Sequence, residues 1–139
     1  MWFIILFFVF YSLNLTGFKI GNFWLCDSCL KDEPIDVVFW IIYLIGVITF
    51  IALPSVGQWI LLGIFVLFHA VQWIFTYRFW VKTDQPKITS YNNYFAKYHH
   101  IIKIRPDVLV PDTFHICLFL GFLANLIYIV LVIIGVVLV

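Results

Sequence analysis

The chain has 139 residues, of which 65% are hydrophobic, 21% aromatic and 11% charged, with a net charge of +1. A soluble domain carries roughly 25% charged residues, so this composition cannot coat a water-exposed surface and excludes an ordinary soluble protein. All of the charged side chains fall within 19–36 and 78–112, which leaves no isolated basic domain and excludes a nucleic-acid partner.

Three charge-free stretches remain, at 1–18, 37–77 and 113–139. A hydrocarbon core ~30 Å thick is filled by about 20 apolar helical residues. The chain therefore reads as an all-α integral membrane protein, a single transmembrane domain over 1–139 with the lipid bilayer as its first partner. No internal repeat is visible.

The first stretch has no positive n-region and no small-x-small cleavage site before Gly21, so it reads as a retained span over 1–18, not a signal peptide. Asn14 and Thr16 stand near its end. Stretch 37–77 is too long for one span. As a single helix at ~1.5 Å per residue it would be about twice the membrane thickness. Leu53-Pro54-Ser55-Val56-Gly57-Gln58 carries turn chemistry, which predicts spans over 35–53 and 57–81 joined by a tight hairpin.

Between the third span and the last stretch, Ile88, Tyr91, Phe95, Tyr98 and Ile102 recur at three- and four-residue steps. Asn92, Asn93, Lys97, His100 and Lys103 fall on the other side. That spacing predicts an amphipathic helix over 89–104, capped by Thr89 or Ser90. Its tyrosine-rich face suits the headgroup boundary, and packing against the other helices fits the periodicity equally well. Pro111-Asp112-Thr113 then opens a fourth span over 113–137, with Asp112 or Thr113 as cap.

Six of the eight Lys and Arg (Arg78, Lys82, Lys87, Lys97, Lys103 and Arg105) lie in the loop between spans three and four. Basic residues set orientation, so 78–112 is expected in the cytoplasm, with 19–36 beside it and both termini outside.

Cys26-Asp27-Ser28-Cys29 is the sharpest motif, since two thiols at this spacing can form a redox pair or half of a zinc site. A dithiol in the first loop, four spans and a long second loop give a layout that resembles the disulfide-generating membrane oxidases that reduce quinone. Those would carry a second cysteine pair in the long loop, which here has none, and Cys117 lies inside the last span. A zinc ion would need His99 and His100 as further ligands, but adjacent helical residues point about 100° apart. The plain alternative is two juxtamembrane cysteines beside the acidic residues Asp27, Asp32, Glu33 and Asp36. No cofactor is expected.

His69 sits near the middle of span three with Gln72 close by, and Asn125 lies in span four. Polar groups at such depth face the protein interior and bond to neighbouring helices or mark a path. Counted from the cytoplasmic end, His69 and His115 differ in depth by about 15 Å, which argues against a haem held by both. At the mouth of span four, Asp112 and His115 stand one turn apart, close to where Arg78 leaves span three. This group could bind a headgroup or hold helices in register.

There is no Gly-rich phosphate loop, HExxH, GxSxG or pair of intramembrane carboxylates. The expectation is a non-enzymatic accessory, regulatory or immunity-type component acting through a membrane protein partner or as a homo-oligomer. A thiol or metal redox protein built on Cys26 and Cys29 is the first alternative. An oligomeric channel or carrier lined by His69 and Gln72 is the second.

Overall fold

The computed structural model describes residues 1–21, 23–26, 28, 30, 34–75 and 85–138, with Phe23, Trp73, Ile74, Phe75 and Lys87 described by their backbone alone. The described residues form α1 (Trp2–Thr16), β1 (Phe18–Ile20), β2 (Phe23–Cys26), α2 (Pro34–Ala52), α3 (Pro54–Phe75), α4 (Gln85–Phe95) and α5 (Thr113–Ile133). Three helices are long and apolar enough to cross a membrane, at Pro34–Ala52, Pro54–Gln72 and Thr113–Ile133. The fourth apolar helix, α1, has 15 residues, about 22 Å of helix.

α1 stops at Gly17, which takes φ 74° and donates its N–H to the Leu13 carbonyl at 3.0 Å. Only glycine enters that conformation without strain. α2 and α3 are joined by Leu53 alone, with Pro54 as the first residue of α3, where its missing N–H costs nothing. Gly57, read from sequence as turn punctuation, lies within α3 and is a packing residue. A Cβ there would run into the Phe50 backbone, so this glycine lets the hairpin close. Gly121 does the same for α5, where a Cβ would meet the Phe7 ring.

The four apolar helices meet at Phe122, which is fully buried. Rings from α1 (Phe7 at 4.9 Å, Tyr11 at 5.4 Å), α2 (Phe39 at 6.0 Å, Tyr43 at 5.6 Å) and α3 (Phe65 at 5.9 Å, Phe68 at 3.8 Å) surround it. Lipid tails are as apolar as these side chains, so close contact and ring geometry must hold the helices together. Aromatic pairs of this kind contribute about 0.5–1.5 kcal/mol each. Each neighbour runs antiparallel: α1 against α2 and α5, and α3 against α2 and α5. The Trp40 indole also donates to Ser12 Oγ at 2.9 Å, tying α2 to α1.

The two connecting regions lie at the same end of these helices. β1 and β2 pair as an antiparallel hairpin with Ile20 opposite Phe23 and Lys19 opposite Trp24. The backbone of Tyr98 bridges to Trp24 on the other edge. The helix expected over 89–104 instead spans Gln85–Phe95, and 96–112 returns as irregular chain. Thr89, expected as a cap, lies inside α4 and donates to the Gln85 carbonyl at 3.0 Å. Asn92, expected on the polar side, is 6% exposed and serves as a clamp. Its Nδ2 donates to the Arg105 and Val108 carbonyls, both at 2.8 Å, and its Oδ1 accepts from the Val110 N–H at 3.2 Å. Ile88, Leu109 and Val110 are buried beside it. The inner face of α4 therefore covers its own returning loop.

Candidate functional site

A polar cluster lies where the hairpin, the returning loop and the start of α5 meet. His99 fastens the three. Its N–H donates to the Trp24 carbonyl at 3.0 Å, its carbonyl accepts from the Thr113 N–H at 2.8 Å, and its Nδ1 is 2.8 Å from Thr113 Oγ1. The adjacent Asp112 is 1% exposed and performs the cap read from sequence. Its Oδ1 accepts from the His115 N–H at 2.9 Å and its Oδ2 from His115 Nδ1 at 2.9 Å.

A carboxylate on Nδ1 fixes that nitrogen as the protonated one and leaves Nε2 as the basic one. The His115 side chain is 37% exposed, and Phe95 at the end of α4 meets its ring edge-on at 5.2 Å. The pair therefore holds the His115 ring in a fixed orientation at the start of α5. Arg78, the third member expected here, lies outside the described residues.

His100 turns away from His99, with Nε2 2.8 Å from the Phe95 carbonyl. Its Nδ1 is buried with no hydrogen-bond partner among the described residues. Cys26 is buried with Sγ 3.5 Å from the Leu13 carbonyl at the end of α1, and Cys29 lies outside the described residues. His99 faces Thr113, His100 faces Phe95 and Cys26 faces Leu13. Among the described residues no group of three or more His, Cys, Asp or Glu stands close enough to hold a metal ion.

A second set of polar atoms lies within the helices. His69 packs against the main chain of Phe122 and edge-on to Phe119 at 5.2 Å, and its Nε2 is buried with no hydrogen-bond partner among the described residues. This places His69 level with Phe119, one turn from His115, or about 6 Å along the axis. That is less than the ~15 Å counted from sequence. Asn125 is fully buried and donates to the Gly121 carbonyl at 2.8 Å, and its Oδ1 has no hydrogen-bond partner among the described residues. Tyr43, also fully buried, has a hydroxyl with no hydrogen-bond partner among the described residues, beside the Phe122 cluster. Gln72 is half-buried on α3.

Sequence reasoning missed the hairpin, Asn92 and Tyr43. The hairpin did leave a signal, since Gly21-Asn22 sits between Phe18-Lys19-Ile20 and Phe23-Trp24-Leu25, a two-residue turn of the kind that joins strands. Asn92 and Tyr43 left none, because their roles depend on what packs over them. No family model, no curated protein and no solved structure matches this chain.

Proposed function

We propose that this chain is a four-span membrane protein without an enzymatic reaction of its own, acting as an accessory, regulatory or immunity-type component through partner proteins. The observation that carries the reading is the ordered platform at one end of the helices. The hairpin, α4 and 96–112 are fastened to each other and to α5 through His99, Asn92 and Asp112. A recognition surface gains affinity when its shape is fixed before the partner arrives, and these bonds supply that order.

Three further points belong to the same proposal. α1 acts as the fourth span, supported by its lack of charge and by the packing of Phe7, Phe8 and Tyr11 on α2 and α5. α4 is an amphipathic helix at the interface, with Tyr94 exposed and Ile88 buried. The platform faces the cytoplasm, supported by the basic residues of 78–112.

Cross-linking in native membranes followed by purification of the chain should enrich one protein in near-stoichiometric amount, and Tyr94→Glu on the outer side of α4 should release it. Enrichment of no protein, or enrichment indifferent to changes across the platform, overturns the reading. Sidedness is tested separately with a membrane-impermeant thiol reagent on Lys97→Cys in a background lacking the other cysteines. No labelling from outside intact cells is expected. Labelling would place Cys26 and Cys29 on the oxidising side and favour the thiol redox reading.

A further inference from the structure

The returning chain between His99 and Thr113 is a loop closed at its base. The His99 carbonyl accepts from the Thr113 N–H at 2.8 Å, and His99 Nδ1 lies 2.8 Å from Thr113 Oγ1. Thr113 is the first residue of α5, a helix long and apolar enough to cross a membrane, and no Asp, Glu, Lys or Arg follows it. The base of the loop therefore stands at the membrane boundary. Midway along the loop, Arg105 and Val108 pair across Pro106-Asp107, and the Arg105–Asp107 ion pair is exposed.

The apolar residues of this loop divide into two sets. Leu109 and Val110, on the arm that runs back to α5, are buried. Ile101 and Ile102, on the outgoing arm, are 64% and 45% exposed. Adjacent isoleucines left out of an interior that takes their neighbours forfeit the gain of burial unless something apolar covers them. Reach decides what that is. A chain advances at most ~3.6 Å per residue, so Ile101 lies within about 7 Å of His99 and Ile102 within about 11 Å. Both stay beside the boundary that Thr113 marks. Charge follows the same order, with Ile101 and Ile102 next to the base, exposed Lys103 after them, and Arg105 and Asp107 at the turn. Apolar side chains nearest the lipid, then a lysine, then an ion pair, are what a segment seated in the interface presents.

We propose that Ile101 and Ile102 form a hydrophobic foot set into the phospholipid leaflet at which α5 begins, with Lys103 at headgroup height and the Arg105–Asp107 turn in water. The foot seats the loop on the bilayer through irregular chain, independently of α4 and of any protein partner. It rests on α5 crossing the membrane, which the test reads separately.

The test places a nitroxide on single cysteines in the full chain carrying Cys26→Ala, Cys29→Ala and Cys117→Ala, at low density in vesicles of phosphatidylcholine and phosphatidylglycerol. Relaxation by oxygen, which concentrates in hydrocarbon, against relaxation by a water-soluble nickel chelate reads the depth of each label. Ile101→Cys and Ile102→Cys should lie about 5–10 Å below the phosphates, as an interfacial apolar segment does. Lys103→Cys should lie at phosphate level and Asp107→Cys outside it. Leu120→Cys, exposed on α5, supplies the hydrocarbon reference. Labels at 101 and 102 as open to nickel as the label at 107 overturn the proposal. Protection from both reagents also overturns it, because a second copy would then cover the foot. A Leu120 label in water would overturn the crossing of α5 and the foot with it. The unsubstituted chain gives an independent reading. Phosphatidylcholine bearing a diazirine high on its acyl chain should form photoadducts at Ile101 or Ile102 and none at 105–108. Adducts on α5 with none at 101–102 would overturn the proposal.

Discussion

Replacing Asn92 should open the returning loop while leaving the membrane helices in place. Its side chain makes three hydrogen bonds to the backbone of 105–110, at 2.8, 2.8 and 3.2 Å. At about 1 kcal/mol each, their loss in Asn92→Ala would sum to ~3 kcal/mol. The three do not weigh equally. Arg105 is exposed and Val108 half-buried, so their carbonyls regain water, whereas Val110 is 4% exposed and its N–H would have no acceptor. The local cost is then about 2 kcal/mol, which corresponds to a fall of roughly 30-fold in the hydrogen-exchange protection of the Val110 amide.

Asn92→Asp sharpens the comparison. It keeps an acceptor for Val110 but sets a carboxylate oxygen against the two carbonyls that Nδ2 had served. Close to neutral pH it should lose more protection than alanine does. The assay is amide exchange read by mass spectrometry on detergent-solubilised protein, with peptides from α2 and α5 as internal controls. Unchanged protection at Val110 in Asn92→Ala, or native protection in Asn92→Asp, would refute the clamp.

Gly57→Ala should destabilise the α2–α3 hairpin by ~1–3 kcal/mol through overpacking on Phe50. Gly63→Ala, where a Cβ meets nothing within 4 Å, should be neutral or stabilising by up to about 1 kcal/mol. Thermal unfolding in one detergent compares the two, and equal effects would remove the packing role of Gly57. His69→Leu should cost less than ~1 kcal/mol, because the Phe122 carbonyl already accepts a bond within α5 and His69 Nε2 has no hydrogen-bond partner among the described residues. A cost above ~2 kcal/mol that Gln restores would reveal a polar partner that matters. The Arg105 guanidinium, hydrogen-bonded to Asp107, holds that carboxyl below its usual value. Its contribution is therefore present above the ordinary carboxylate range and is lost only as pH falls through the lowered value. Both side chains are exposed, so protease resistance of 105–108 should be flat from pH 5 to pH 8, and a step in that window would contradict the assignment.

The membrane class and the helix positions were legible because they rest on local properties. Absence of charge over 37–77 and 113–139 fixes where helices can be buried in lipid, and the Leu53-Pro54 break is chemistry of adjacent residues. Asp112 was readable as a cap for the same reason, since a helix start needs an acceptor within three residues. The ends were less legible. Last-turn positions depend on what the chain meets next, so α4 stops at Phe95 where periodicity continues to Ile102, and α5 stops at Ile133 before the apolar run ends.

Tertiary structure alone decided the rest. Lys19, Trp24 and Tyr98 carry no mutual spacing signal, because 74 residues separate Trp24 from Tyr98, and only strand pairing and the His99 bonds make them neighbours. Asn92 looks polar and therefore outward in any helical projection. It became the centre of a buried clamp because the chain folds back over it and supplies two carbonyls and an amide. Phe122 is one of sixteen phenylalanines, indistinguishable by composition, and its place at the meeting of four helices follows from which faces pack. A pattern records what one segment prefers to bury. What it is buried against is a property of segments far apart in the chain, and that is set only when they close on one another.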